Sequence, residues 1–569
     1  MASKLNNITI AIILLVVCVS NNAFGQVEHY VNGYGRAILT NNNLGGEILE
    51  GDTATQRKGL SGYNLFDLGY NFEKGKEFEA NVTLRVRQPW GEFWGEETKF
   101  EFRQLQVRGD LNYFSYELGD VDVEMTPYTM YNFDEMFNDF ESDIFSQRRD
   151  ILEYENFVNG NAWRLQGVKL GTAVYMKKVF DDLQIKAFGV RTNISDDFSS
   201  PDRVMVGVST KFLKNEKGFV GLNYSGLMDI PLDDFATNYR NHVMTFNVDY
   251  MLLGADSSFK LAVVAESGLS DNDYYRLSDD TTYKANDFFV DAGVRAELKS
   301  GLKLKVSYKN VGAKYSSPGA QTRRINVLSN PLLFSQVQDG VVDRGQNLYD
   351  RFTQEQIYNR ALSPVLNAYV PFYNNVTPYG EATPNRQGLT LDVQTNESKK
   401  LEMAVKLRYL TEIAGEGALE KRQFVSAQGG LKVSLGELIK IKKTLDLTLG
   451  GRFEKTTRDD AAVDLSSLLL DAGLSYEVSE LLDLQLGFKT LNAEGQEVVA
   501  VRNDLNIITD YAAWDVDITQ NIWSMGLRVN FNETTNFIAN YNIINLADNK
   551  TGMLSYDMNQ LFLNFNIMF

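Results

Sequence analysis

Cysteine, histidine and proline are scarce in this chain of 569 residues, and long apolar runs are missing beyond its first twenty or so positions. There is one cysteine, Cys18, there are two histidines, His29 and His242, and there are ten prolines. With a single thiol no disulfide can form within the chain, so the fold must close by packing and hydrogen bonds. Two distant histidines make a thin zinc donor set. Neither stands with a serine and an orienting acid in any pattern that marks a nucleophile. No glycine-rich phosphate cradle occurs in a strand–loop–helix setting. The expectation is a non-enzymatic protein without cofactor or metal. Acidic clusters at Asp134/Glu135/Asp139, Asp229/Asp233/Asp234 and Asp279/Asp280 carry oxygens that calcium would accept, but none has the glycine and terminal glutamate of an EF-hand loop; solvated loops account for them. After the N-terminal segment nothing reaches the eighteen or so apolar residues of a membrane-spanning helix.

What is present points elsewhere. The formal charge of −18 argues against a nucleic-acid partner and would favour cations in any lumen it lined. Lys4, the apolar run Ile8–Val19 and the small residues Ala23 and Gly25 have the layout of a secretory signal peptide, residues 1–25, cleaved before Gln26. A lipoprotein cleaved at Cys18 is the weaker alternative, since Val17 is large for the preceding position. Tyr (28) and Phe (34) are abundant, which suits strands and interfacial girdles.

The last ten residues alternate. Leu561, Leu563, Phe565, Ile567 and Phe569 fall on one face at the period of a strand, while Gln560, Asn564 and Asn566, with Phe562 and Met568, fall on the other. This segment resembles the C-terminal strand of bacterial outer-membrane β-barrels, which ends in an aromatic residue. Reading back, Trp523–Asn532 and Phe537–Ile543 form a hairpin about a tight 532–536 turn. Further short turns fall near Glu73–Lys76, Gly109–Leu111, Val179–Asp182, Asn215–Gly218, Gly254–Ser257, Lys299–Gly301, Glu397–Lys400, Glu437–Lys443 and Glu477–Leu481. Ten hairpins, an unpaired first strand near 27–37 and the last strand make 22, an even number with both termini on the short-turn, periplasmic side; merged boundaries would give 16–20. The expected fold is all-β: residues 26–569 as a single large antiparallel transmembrane barrel. Long links near 38–60, 126–164, 269–285, 315–387 and 491–520 would be extracellular loops or lumen plugs. Six of the ten prolines lie in 315–387, which therefore holds no central strand, and Gln346–Leu362 has room for a short helix. The aromatic, acidic 126–164 link could be a folded cap, and it gives the chain a likeness to large Bacteroidota-type outer-membrane proteins.

Two charge patches fall on inward positions. With Ala80, Val82, Leu84 and Val86 outward, Arg85 and Arg87 face the lumen; Glu101 and Arg103 oppose Phe100 and Phe102; Asp120, Asp122 and Glu124 oppose Val121, Val123 and Met125. Opposed charges of this kind filter solutes in porin constrictions, or they simply stiffen the wall as cross-strand pairs. The second patch is Asp291, Arg295 and Glu297 against Lys303, Lys305 and Lys309. Arg323-Arg324 and Asn385-Arg386, in the longest link, suit docking of that link onto the wall. A passive channel and a loop-occluded subunit or scaffold of an outer-membrane transport or assembly complex are the two functions this pattern allows. The partners would be outer-membrane lipid, other envelope proteins through the long loops, and the barrel-assembly machinery through the terminal strand. Alternation begins soon after Gln26, without the large N-terminal plug domain of energy-coupled transporters.

Overall fold

Strands of period two, each with one apolar face, must bury that face or give it to lipid, and must leave no open edge. The computed structural model meets both demands with a closed antiparallel barrel of 22 strands. It describes residues 28–49, 59–90, 98–131, 140–176, 179–194, 201–214, 217–230, 237–254, 259–276, 280–321, 325–327, 329, 345–395, 400–459, 462–552 and 555–569. The first strands are β1 (Glu28–Gly45), β2 (Leu60–Lys74), β3 (Phe78–Pro89), β4 (Lys99–Leu111), β5 (Phe114–Asp120), β6 (Gln166–Tyr175), β7 (Asp182–Asn193) and β8 (Asp202–Lys214). Next come β9 (Gly218–Ile230), β10 (Thr237–Leu253), β11 (Phe259–Arg276), β12 (Thr281–Leu298), β13 (Lys303–Val311), β14 (Arg386–Gln394) and β15 (Leu401–Thr411). The wall ends with β16 (Gln423–Ser434), β17 (Leu445–Thr457), β18 (Asp464–Ser479), β19 (Leu482–Arg502), β20 (Ile508–Asn532), β21 (Thr535–Asp548) and β22 (Tyr556–Met568). Each of the ten expected short turns falls at or between the ends of consecutive strands, although 215–216, 255–257 and 397–399 lie outside the described residues.

Each strand pairs with the next, and β22 returns to β1 in a register from Tyr34↔Met568 to Gly45↔Asp557. Phe569 extends the seam by exchanging backbone hydrogen bonds with Gly33, at 2.8 and 3.1 Å. On the terminal strand Leu561, Phe565, Ile567 and Phe569 are exposed outward and Leu563 half-buried, whereas Gln560, Phe562, Asn564 and Asn566 are buried inside; Met568, expected with them, is exposed at the strand end. On β13 the alternation is as sharp, with Val306 45% exposed and Ser307 4%.

Four expectations need correction. The 491–520 link is strand: β19 and β20 pair without a loop from Leu482↔Val529 to Arg502↔Ile508, leaving 503–507 as the turn. Twenty-one residues at about 3.4 Å each reach roughly 70 Å, far beyond the ~25 Å apolar band, and strand above the membrane needs no apolar outer face. The 269–285 link is likewise mostly strand, since β11 and β12 pair up to Arg276↔Thr281, and β1 runs on through Gly45 into the expected 38–60 link. Finally, β5 stops at Asp120, and beyond it Val121 and Val123 turn inward and are buried, while Asp122 and Glu124 are exposed. The faces assigned to 121–125 are reversed because an interior packed with its own apolar core also rewards alternation. The signal peptide 1–25, Asp134/Glu135/Asp139, Asp233/Asp234, Asp279 and Arg323-Arg324 lie outside the described residues.

Candidate functional site

The 126–164 link folds into the barrel. Its helix α1 (Asp143–Asn156), about 21 Å long at 1.5 Å per residue, touches β18, β19 and β20 near its start and β1–β4 near its end. A helix terminus leaves carbonyls without partners and carries partial negative charge. Wall arginines meet both needs here. Arg103 donates to Tyr154 O (Nε at 3.2 Å), Arg85 donates to Glu155 O, and Arg36 reaches Ile151 O at 3.5 Å. Side chains lock the same end: Glu155 accepts from Arg36 at 2.6 Å and from Tyr63 at 2.5 Å, and Tyr154 donates to Asp67 at 2.8 Å. Asp67 in turn accepts two bonds of 2.7 Å from Arg85. Asp67, Arg85, Arg36 and Glu155 are all buried.

At the other end the signs reverse, as the helix dipole favours. Asp471 accepts the Ser142 N–H at 3.3 Å, and Asp143 accepts from Ser475 at 2.8 Å. Just before the helix, Glu141 takes two bonds from Arg149, at 2.9 and 3.1 Å, and one from Lys489. Burial alone would raise the Glu141 carboxyl, but Lys489 and Arg149 outweigh it and lower the group to about 2. The segment 140–145 fits against glycines on inward positions. A Cβ at Gly473 would stand 2.0 Å from Ser142 Cβ, one at Gly487 2.4 Å from Ile144 Cγ2, and one at Gly430 or Gly526 3.0 Å from Phe140 or Ile144. The wall is grooved for this segment.

The described residues of the 315–387 link pack into the remaining bore. The short helix foreseen in Gln346–Leu362 is two 3-10 turns, Asp350–Phe352 and Glu355–Ile357. Leu348 N–H bonds Gln520 at 2.7 Å, Asn375 bonds Glu454 at 2.9 Å and Thr456 at 2.8 Å, and Tyr349 bonds Gln560. Phe352, Phe372 and Tyr373 share one buried cluster with Phe145 of α1 and with Leu491 and Val516 of the wall. Glu381 pairs with Lys309, Arg408 (2.8 Å) and Lys406 (3.4 Å). Its burial would raise the carboxyl, yet the three cations hold it well below the usual carboxylate range. Arg386 docks its own link, donating to Val376 O at 3.0 Å and stacking 3.7 Å over Phe424.

Of the first expected patch, Arg85 and Arg103 meet at the α1 socket, and Arg87 lies beside it, 3.7 Å from Glu155 and 3.8 Å from Glu355. Glu101 stands opposite Arg85 in register but is exposed. Asp120 is buried and pairs instead with the partly exposed Arg164, and Asp122 and Glu124 fall outside the cluster. Of the second patch, Asp291 accepts from Tyr128 at 2.8 Å and Arg295 grips Asp249 through bonds of 2.7 and 2.8 Å. Glu297 pairs in register with Lys303, and Arg295 with Lys305. Arg295, Lys303 and Lys305 line a cavity of about 480 Å³ with Asp392, Glu402 and Lys406. His29 stacks on Tyr70 and His242 bonds Tyr224 at 2.8 Å. Sequence reading missed Arg36, Asp67, Glu155, Glu141 and Lys489. A usable signal was there: Gly430, Gly473, Gly487 and Gly526 recur at inward positions of neighbouring strands.

No family model and no curated protein matches the chain. Among solved structures it is similar in fold to the ferric citrate transporter FecA in its unliganded form, with 10% identity, 95% of this chain and 78% of that one covered, and a TM-score of 0.47. Pseudomonas aeruginosa OccK11 (OpdR) has 8% identity, coverage of 95% and 96% and a TM-score of 0.33. A loop-deletion mutant of Vibrio cholerae OmpT has 8% identity, coverage of 95% and 99% and a TM-score of 0.27. The deciding observation is the wall itself: closed, antiparallel and even-numbered, with short turns at one end, apolar outside and polar inside. The chain is a multi-pass β-barrel of the bacterial outer membrane. In that setting the inward charges face a lumen and the outward Val306, Phe565 and Leu561 face lipid.

Proposed function

We propose that the protein is a plugged, non-enzymatic outer-membrane barrel acting as a subunit or scaffold of an envelope transport or assembly complex. The observation that carries this reading is α1, fixed at both ends to opposite-signed sockets in the wall, with the 315–387 link packed around it. A bore lined for solute flow would not surrender its inward arginines to helix carbonyls. The β19–β20 hairpin, rising past its neighbours, offers partners a surface above the membrane. The apolar face of β22 suits recognition by the barrel-assembly machinery. The test is isolation from native membranes in mild detergent. Stoichiometric envelope proteins that stay bound through gel filtration support the reading, and a lone monodisperse barrel from crosslinked membranes refutes it. A porin-like, cation-preferring channel is the second reading, favoured by the charged cavity around Arg295, Lys303, Asp392 and Glu402.

A further inference from the structure

Among the described residues the wall is incomplete beside β4. That strand pairs with β3 from Arg108 to Lys99 but with β5 only from Leu111 to Gln106. Among the described residues, Lys99–Leu105 therefore has a strand on one side alone. β5 has seven residues. At about 3.4 Å each and a tilt near 45°, it climbs roughly 17 Å, less than the ~25 Å apolar band. Its departure is built in: Gly119 has φ +92°, and a Cβ there would meet Leu105 O at 2.2 Å.

Open backbone groups at membrane depth are costly, and side chains answer for them here. Asp120 accepts the Leu105 N–H at 2.7 Å, and Arg164 donates to Phe102 O at 3.1 Å. Arg164 and Asp120 are joined by two bonds of 2.5 Å, and Gln166 adds a third to the carboxylate at 3.0 Å. One guanidinium and one carboxylate thus stand where a strand ladder would run. Outside the notch Phe100, Phe102, Leu105 and Leu118 are exposed to lipid. The neighbours of the latch in sequence, Val121, Trp163 and Leu165, belong to a buried apolar cluster of the plug.

We propose that this notch is a lateral portal for a long-chain amphiphile, whose acyl chain passes from the outer leaflet past the Asp120–Arg164 latch into the apolar cluster behind it. The commitment to an acyl chain rests on the two apolar surfaces that the latch separates and on the depth of the gap. A latch made of side chains can open without breaking strand pairing.

The test is photolabelling of the purified full-length protein in vesicles with diazirine-bearing palmitate and, separately, diazirine-bearing hexadecanol, followed by peptide mapping. Adducts on residues 121–123 or 163–165, displaced by unlabelled palmitate, are expected, with several-fold more in Arg164→Gln. Labelling by both probes means the chain alone suffices, and labelling by palmitate alone adds a need for the anionic end; either supports the portal. Adducts spread round the outward belt, with none on 121–123 or 163–165, overturn it. The wild-type result decides even if Arg164→Gln does not fold.

Discussion

Gly473→Ala should loosen the plug without opening the wall. The new methyl would stand 2.0 Å from Ser142 Cβ and 3.1 Å from its Cα, both anchored to backbone, so no rotamer relieves the overlap. β18 is hydrogen-bonded along both edges, to β17 and β19, whereas the 140–145 segment is tied to the wall mainly through side chains. The segment therefore yields first. Overpacking of this kind costs about 1–3 kcal/mol, which shifts the balance between seated and displaced plug by roughly five- to 150-fold. Protease cleavage within 126–164, measured in detergent on a barrel that keeps its folded gel mobility, reads that balance directly. The second change Ser142→Gly removes the clashing Cβ and leaves the nearest atom at 3.1 Å, so the double variant should recover most of the protection. Unchanged cleavage in Gly473→Ala, or no rescue by Ser142→Gly, would show that the groove does not seat the segment.

Asp67→Ala removes one member of a buried ion pair and strands Arg85, a loss of about 3–5 kcal/mol; calorimetry should show a lower melting transition and proteolysis a freed end of α1. Glu141 is held at about 2 against an ordinary 4.5. A folded value below the unfolded one adds stability that is present above pH 4.5 and lost as pH falls through 2. The contribution of Glu141 to plug protection should thus decline below about pH 4.5, and Glu141→Gln should flatten that decline. Deleting Phe569 removes both hydrogen bonds to Gly33 and the ring contact with Phe66. It should lower the folded fraction seen by heat-modifiable gel mobility while leaving the melting of correctly closed barrels nearly unchanged.

The wall was legible because lipid imposes one rule on every spanning strand. Leu561, Phe565 and Val306 had to face out, and the turns near Lys74, Leu111 and Asn532 had to be short. Where lipid no longer dictates, legibility ended. The upper halves of β19 and β20 stand in water and read as a polar loop. Val121 and Val123 alternate like wall residues because the plug has an apolar core of its own, and periodicity cannot tell the two destinations apart. Alternation points Arg85, Arg87 and Arg103 inward, but the groups that two of them serve, the carbonyls of Tyr154 and Glu155, lie on a distant helix whose docking no local pattern announces. The socket is a property of two segments together. Only the run of inward glycines at 430, 473, 487 and 526 hinted that something must approach the wall there.

Planar-bilayer recording of the purified full-length barrel tests the central claim most directly. A lumen crossed by α1 and packed by the 315–387 link predicts electrical silence at moderate voltage, with current steps emerging in Gly473→Ala. A steady, cation-selective open current from the unaltered protein would contradict the plug and favour the channel.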